Sequence, residues 1–133
     1  MRITSCGMTD VGLKRVHNED NFLIYEEVGI YVVCDGMGGH AGGEIASAIA
    51  VHTIDEAFSL MSLENQSLEN MDSVISQHIT SIVQLAGKTI FDEAKRERRY
   101  RGMGTTSVMT YVHEGKAYIA HVGDSRGYLL RKN

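Results

Sequence analysis

The chain has 133 residues, 43% of them hydrophobic, enough for one modest core and too few for two full domains. Its 13 Lys and Arg stand against 17 Asp and Glu, a formal charge of −4 that excludes the broad basic field with which proteins hold nucleic acid. No run reaches the roughly 18 apolar residues of a membrane helix, no export signal opens the chain, and Cys6 and Cys34 make no disulfide framework, so a soluble protein of the cytoplasm is expected.

Phe22 to Tyr25 and Ile30 to Cys34 are short runs of β-branched and aromatic residues parted by Glu26, Glu27 and Gly29, which predicts a hairpin ending at Asp35. Gly36 to Gly43 holds five glycines in eight residues and reads as a loop that brings backbone close to something small. From Glu44 to about Met61 the apolar residues Ala46, Ile49, Ala50, Ile54 and Phe58 recur at helical spacing. Ser62 to Asn70 is polar and reads as a connection. A longer helix is predicted from Met71 to about Arg98, with Ile75, Ile79, Ile82, Ala86 and Ile90 on one stripe. The stretch from Lys95 to Arg101, at the end of that helix and just beyond it, is the main basic exception in an acidic chain. After Gly102-Met103-Gly104, strands are predicted over Thr105 to Val112, Lys116 to Val122 and Arg126 to Arg131. The order implies a mostly antiparallel sheet covered by packed helices, an α+β fold in one domain.

Four segments carry chemistry. Arg15-Val16-His17-Asn18-Glu19-Asp20 places a cation and two carboxylates together, a pattern equally compatible with a solvated loop. In Cys34-Asp35-Gly36-Met37-Gly38-Gly39-His40 an acid ends a strand of buried type beside glycines and a histidine. An ionised carboxylate there needs a partner or a metal, and its two oxygens can face two cations, as two-metal hydrolytic sites require. The Gly36 carbonyl can ligate a hard cation because no side chain crowds it. A nucleotide-phosphate loop is the competing reading, yet neither Gly-Lys-Ser/Thr nor G-x-G-x-x-G occurs. The third and fourth segments are Gly102-Met103-Gly104-Thr105-Thr106 and Gly123-Asp124-Ser125-Arg126; on local grounds Asp124 reads as a turn residue.

In this order and spacing the four segments resemble the protein phosphatase 2C family, the metal-dependent Ser/Thr phosphatases, in its bacterial form. The resemblance rests on Gly12 with Arg15 to Asp20, Asp35 to His40, Gly104 to Thr106, and Gly123 to Arg126. It implies a layered β-sandwich flanked by antiparallel helix pairs, incomplete in this chain, which would be the N-terminal part of such a catalytic domain. It further implies that Asp35 bridges two Mn²⁺ or Mg²⁺ ions, that the Gly36 carbonyl ligates one, and that Glu19 and Asp20 hold the metal-bound water shell. Arg15 would grip the substrate phosphate, and Asp124 would ligate a third, weaker ion. His40 would donate a proton through water or cap the loop; His17, His52, His78 and His113 read as solvated or helix-face residues, and His121 is placed to order the Asp124 turn.

Phosphorylated proteins, substrates of a Ser/Thr kinase, are the implied partners, with no nucleic acid and no membrane. The family's later metal-binding aspartates, in a Ser-Asp-Gly and an Asp-Asn segment, have no counterpart in the sequence. This predicts weakened metal binding, an uncertain turnover for the 133-residue form, and unpaired sheet surface that favours self-association or a missing C-terminal half. The alternative to the phosphatase is a non-catalytic phosphatase-like module for interaction or oligomerisation.

Overall fold

Alternation sets the sheet. In the computed structural model, which describes residues 2–39, 42–61 and 70–131, strands β1 (Asp20–Tyr25) and β2 (Ile30–Met37) form the expected hairpin. Gly29 ends its turn at φ +84°, where a Cβ would lie 2.5 Å from the Val112 carbonyl oxygen, so only glycine fits. Helices α1 (Gly42–Ser59) and α2 (Met71–Arg96) follow, then a 3₁₀ turn at Arg98–Tyr100 and strands β3 (Gly104–Thr105), β4 (Ser107–His113) and β5 (Lys116–Val122). The expected connection over residues 62–69 lies outside the described residues. All pairings are antiparallel in the order β1-β2-β4-β5, with β3 paired to the end of β2.

The register lays Leu23, Val32, Met109 and Ala120 side by side on one face, with Tyr25, Ile30, Tyr111 and Tyr118 in the next row. The helices cover this face. Ile54 of α1 and Ile75 of α2 are fully buried against it, and each such side chain contributes about 2 kcal/mol by leaving water. The opposite face stays open: Val33 is 51% and Ile119 63% exposed. The described residues thus form one sheet with its helix pair on one side, an α+β arrangement.

The strand expected over Arg126 to Arg131 does not form. Gly123, at φ +93°, turns the chain out of β5 and away from the sheet's ladders; Gly127 lies over Val108 on the open face. A strand needs a partner as well as a pattern. In β2 the departure is the reverse. The Gly-rich stretch read as loop begins inside the strand, with Gly36 opposite Thr105 and Met37 opposite Gly104.

β3 and β4 continue one register against β2, since Val33 faces Val108 and Gly36 faces Thr105. The ladder is interrupted over two positions, Cys34 with Ser107 and then Asp35 with Thr106. There the Thr106 N–H donates to the Asp35 carbonyl at 2.9 Å as a strand should. The Asp35 N–H, however, donates to the Thr106 hydroxyl at 3.0 Å, while the Thr106 carbonyl accepts from the Thr105 hydroxyl at 2.9 Å. A side chain has replaced one rung of the ladder.

At the far end of the molecule Asp72, in the first turn of α2, accepts from Lys116 Nζ at 2.8 Å and from the Tyr118 hydroxyl at 2.6 Å, tying the helix to β5. The bond to Asp72 is the main reason the Tyr118 phenol is pushed up to about 12, and the same contacts with Lys116 and Tyr118 pull Asp72 down. A raised pKa stabilises the fold below the ordinary phenol value and loses that contribution as pH climbs through the folded value. Tyr118→Phe should therefore melt below wild type at pH 9, with the gap closing between pH 10 and about 12; a gap of equal size at both ends would refute the assignment. Thr106→Val removes the acceptor of a part-buried N–H and should cost about 1–3 kcal/mol in denaturant unfolding. Thr106→Ser, which keeps the hydroxyl, should recover most of it, and no recovery would show that the methyl rather than the bond matters.

Candidate metal centre

The antiparallel register brings the carboxylates together. Asp20, the first residue of β1, stands directly opposite Asp35. Continued to their ends, the β2–β4 and β4–β5 registers set Thr106 beside Asp35 and Gly123 beside Thr106. Asp124 is the next residue. Thr106 secures it there, because its hydroxyl bonds the Ser125 hydroxyl at 2.7 Å and its methyl lies 2.8 Å from where a Gly123 Cβ would be. Thr106 thus holds the strand bearing Asp35 and the turn bearing Asp124 with one side chain. Sequence reading placed Thr106 in a motif without a role; its position between two acid-bearing segments was the available signal.

Like charges facing one another across a strand pair repel. The Asp35 carboxyl is pushed above the usual range, first by desolvation, then by the charge of Asp20 and its carboxyl contact, and then by Asp124, with Arg15 opposing. These groups therefore feel one another. Arg15 Nη1 meets Glu19 Oε2 at 3.3 Å, yet the arginine side chain remains 74% exposed and free to take an anion. Asn18 fixes the approach: its Oδ1 accepts the Asp20 N–H at 3.0 Å and its Nδ2 donates to the Thr9 hydroxyl at 2.9 Å. Asp10, whose Oδ1 accepts the Gly12 N–H at 2.7 Å, joins Arg15, His17, Asn18, Glu19, Asp20 and Asp35 around a cleft of about 220 Å³. Asp10 and Asn18 carry no role in the sequence reading, although both sit within a few residues of Arg15. Asp124 lines a separate, larger depression of about 430 Å³, walled by Val108, Ile119 and Tyr128 together with His121, Ser125 and Arg126. Most of the expected site residues gather in the smaller, acidic cleft.

Gly36 sits behind Asp35, where its N–H donates to the Glu19 carbonyl at 3.0 Å. A Cβ at Gly36 would lie 2.0 Å from the Gly43 carbonyl oxygen, and one at Gly43 would lie 2.5 Å from Glu19 Oε1. The start of α1 is thus pressed against the ends of β1 and β2, with the Glu19 carboxylate at the positive end of the helix. Of the expected site residues, Arg15, Glu19, Asp20 and Asp35 share the cleft, Gly36 lies behind it and Asp124 is brought alongside through Thr106. His40 lies outside the described residues. Among the described residues no three His, Cys, Asp or Glu side chains close into a ready-made metal cage. The donors are nonetheless all oxygen, mutually repelling and open on one side, the donor chemistry of hard divalent cations.

Known proteins resemble the chain in sequence and in fold. The chain is 39% identical over 128 residues to the serine/threonine phosphatase stp of Listeria welshimeri, covering 94% of this chain and 49% of that protein, so it spans about half the length of the curated relatives it matches. The crystal structure of the Mycobacterium tuberculosis serine/threonine phosphatase PstP superposes with a TM-score of 0.75 at 30% identity, over 90% of this chain and 46% of that one. A second structure, the PstP catalytic domain in complex with two manganese ions, gives a TM-score of 0.75 at 29% identity, over 90% of this chain and 47% of that one. With the protein phosphatase 2C model matched from residue 14 to 132, across all four motif segments, the chain belongs to the protein phosphatase 2C family.

Proposed function

We propose that this chain is the N-terminal part of a catalytic domain that hydrolyses phosphoserine and phosphothreonine in proteins, with Mn²⁺ or Mg²⁺ as cofactor. The observation that carries the reading is the cross-strand pair Asp20 and Asp35, two carboxyls held face to face in a chain of this family, with desolvation first and the Asp20 charge second pushing Asp35 up. Such a pair costs stability at neutral pH, and a divalent cation held by it reverses the sign.

In this reading Asp35 and the Gly36 carbonyl hold the ions, Glu19 and Asp20 order their water shell, and Asp124 serves a weaker site. Bound ions of this kind supply an acidified water at neutral pH and neutralise charge on the phosphoryl oxygens. Arg15 takes the phosphate with its guanidinium fork, steadied by Glu19. Thr106 keeps the Asp35 backbone and the Asp124 turn in fixed relation, so the two acids cannot drift apart. His40 is proposed either to donate a proton through water or to cap the loop. The implied substrates are phosphoproteins made by a Ser/Thr kinase, met in the cytoplasm; among the described residues no helix is long and apolar enough to cross a membrane.

A second reading, an interaction or oligomerisation module, is favoured by one observation: the open apolar sheet face around Val33 and Ile119. Self-association or pairing with a separate C-terminal half would cover it.

Mn²⁺ should raise the melting temperature, because an ion that binds only the folded state stabilises it by mass action, by about 2.7 kcal/mol at a hundredfold excess over Kd. Asp35→Asn should abolish that rise together with Mn²⁺-dependent hydrolysis of para-nitrophenyl phosphate. Equal metal stabilisation of wild type and Asp35→Asn would overturn the assignment, whereas metal-independent folding with a dimer in solution would favour the module. Gly36→Ala should cost upwards of about 3 kcal/mol, since its methyl meets backbone rather than a side chain that can swing away.

A further inference from the structure

One strongly charged surface is not used by the reading above. Lys95, Arg96, Arg98, Arg99 and Arg101 crowd five cations around a single carboxylate, Glu97, in a chain whose formal charge is −4. All five are exposed. Several already have partners: Arg96 meets Glu93, Arg99 meets Glu97 at 2.9 Å and lies over the Tyr100 ring, and Lys95 lies over Phe91 at 4.4 Å. Arg98 and Arg101 have no ion-pair partner among the described residues. They stand one turn apart, with the Arg101 N–H donating to the Arg98 carbonyl at 3.3 Å, and residues three apart in a 3₁₀ turn lie one above the other. Arg98 opens the turn and Arg101 caps it, so two arginines without an ion-pair partner among the described residues bracket one short turn.

The turn leads into the segment that packs beside the residues following Asp35. Met103, two residues past Arg101, is buried, with its backbone 3.2 Å from where a Gly38 Cβ would be and its Cβ 3.2 Å from that of Gly42. Gly104 and Thr105 then pair with Met37 and Gly36, and Thr106 bonds Asp35. From Arg101 to Thr106 the chain is thus fastened along the segment that follows Asp35. The turn is therefore five residues along the chain from Thr106, the residue bonded to Asp35, a distance that the residues flanking a phosphorylated side chain at Asp35 can span.

We infer that the Arg98–Arg101 turn is a docking surface for acidic residues flanking the phosphorylated residue of a protein substrate. The inference rests on the phosphatase reading for what enters the cleft, and on the turn alone for the charge it selects. Paired guanidiniums match carboxylates in charge and in fork geometry. A nucleic acid is disfavoured because the island is small and the rest of the chain repels a polyanion.

The test uses the full chain and fluorescence anisotropy with two labelled phosphoserine peptides of equal length, one flanked by Asp and Glu and the other by Asn and Gln. A single-stranded oligonucleotide of the same charge as the acidic peptide is the third probe. Wild type should bind the acidic peptide about fivefold more tightly, the scale of two exposed charge pairs, with the preference shrinking as salt rises. Arg98→Glu with Arg101→Glu, checked for unaltered circular dichroism, should erase the preference. Equal affinity for both peptides, no measurable binding of the acidic one, a preference that survives the double substitution, or tighter binding of the oligonucleotide would each overturn the inference. A retained preference without Mn²⁺ stabilisation would instead sink the phosphatase reading alone.

Discussion

Everything at the acidic end of the sheet depends on one exchange of hydrogen bonds between Asp35 and Thr106. A regular antiparallel pair would satisfy both residues through backbone alone and leave the threonine hydroxyl idle. Here the hydroxyl takes the Asp35 N–H, and the same oxygen meets Ser125. Three segments far apart in sequence are locked at one atom. The lock involves a part-buried group, where an unmade bond is expensive, so the geometry is enforced rather than merely permitted.

Repulsion is the counterpart of that lock. Asp20 and Asp35 are set opposite one another by a register that the apolar rows of the hairpin impose, Leu23 on Val32 and Tyr25 on Ile30. The core therefore supplies the force that holds two like charges at the mouth of a cleft. Stability gained beneath the helices is spent where the chemistry is, a division of labour that is usual at functional sites.

Much of this was legible in the sequence where periodicity was long. The isoleucine stripe of α2 and the alternation of Ile30, Val32 and Cys34 give both elements and the faces they bury. Legibility failed where a local signal met a tertiary constraint. Gly36 and Met37 read as loop because glycine weakens strands, yet β3 pairs them. Arg126 to Arg131 read as strand because its residues suit one, but the turn at Gly123 takes the chain out of the sheet before it reaches them. Asp124 looked like a turn residue, which it is; its nearness to Asp35 is a fact of register and of Thr106, neither visible in four neighbouring letters. The carboxylates of the first motif were singled out only through the family resemblance, whereas the hydrogen bonds of Asn18 and Thr106 required three dimensions.

The continuous register of β2 against β3 and β4 has a consequence for how such a chain can vary in length. Side chains on a strand alternate, so the count of residues between the hairpin turn and Asp35 is subject to a parity rule. One residue added after Val33 would turn the aspartate under α1 and swing its neighbour outward, even though every motif letter survived. Two added residues would restore the facing but carry the acid past Asp20 and out of reach of the Thr106 hydroxyl. The site is therefore intolerant of insertion in β2 in a way that no substitution pattern would reveal, and length variation is confined to segments away from the strand ends.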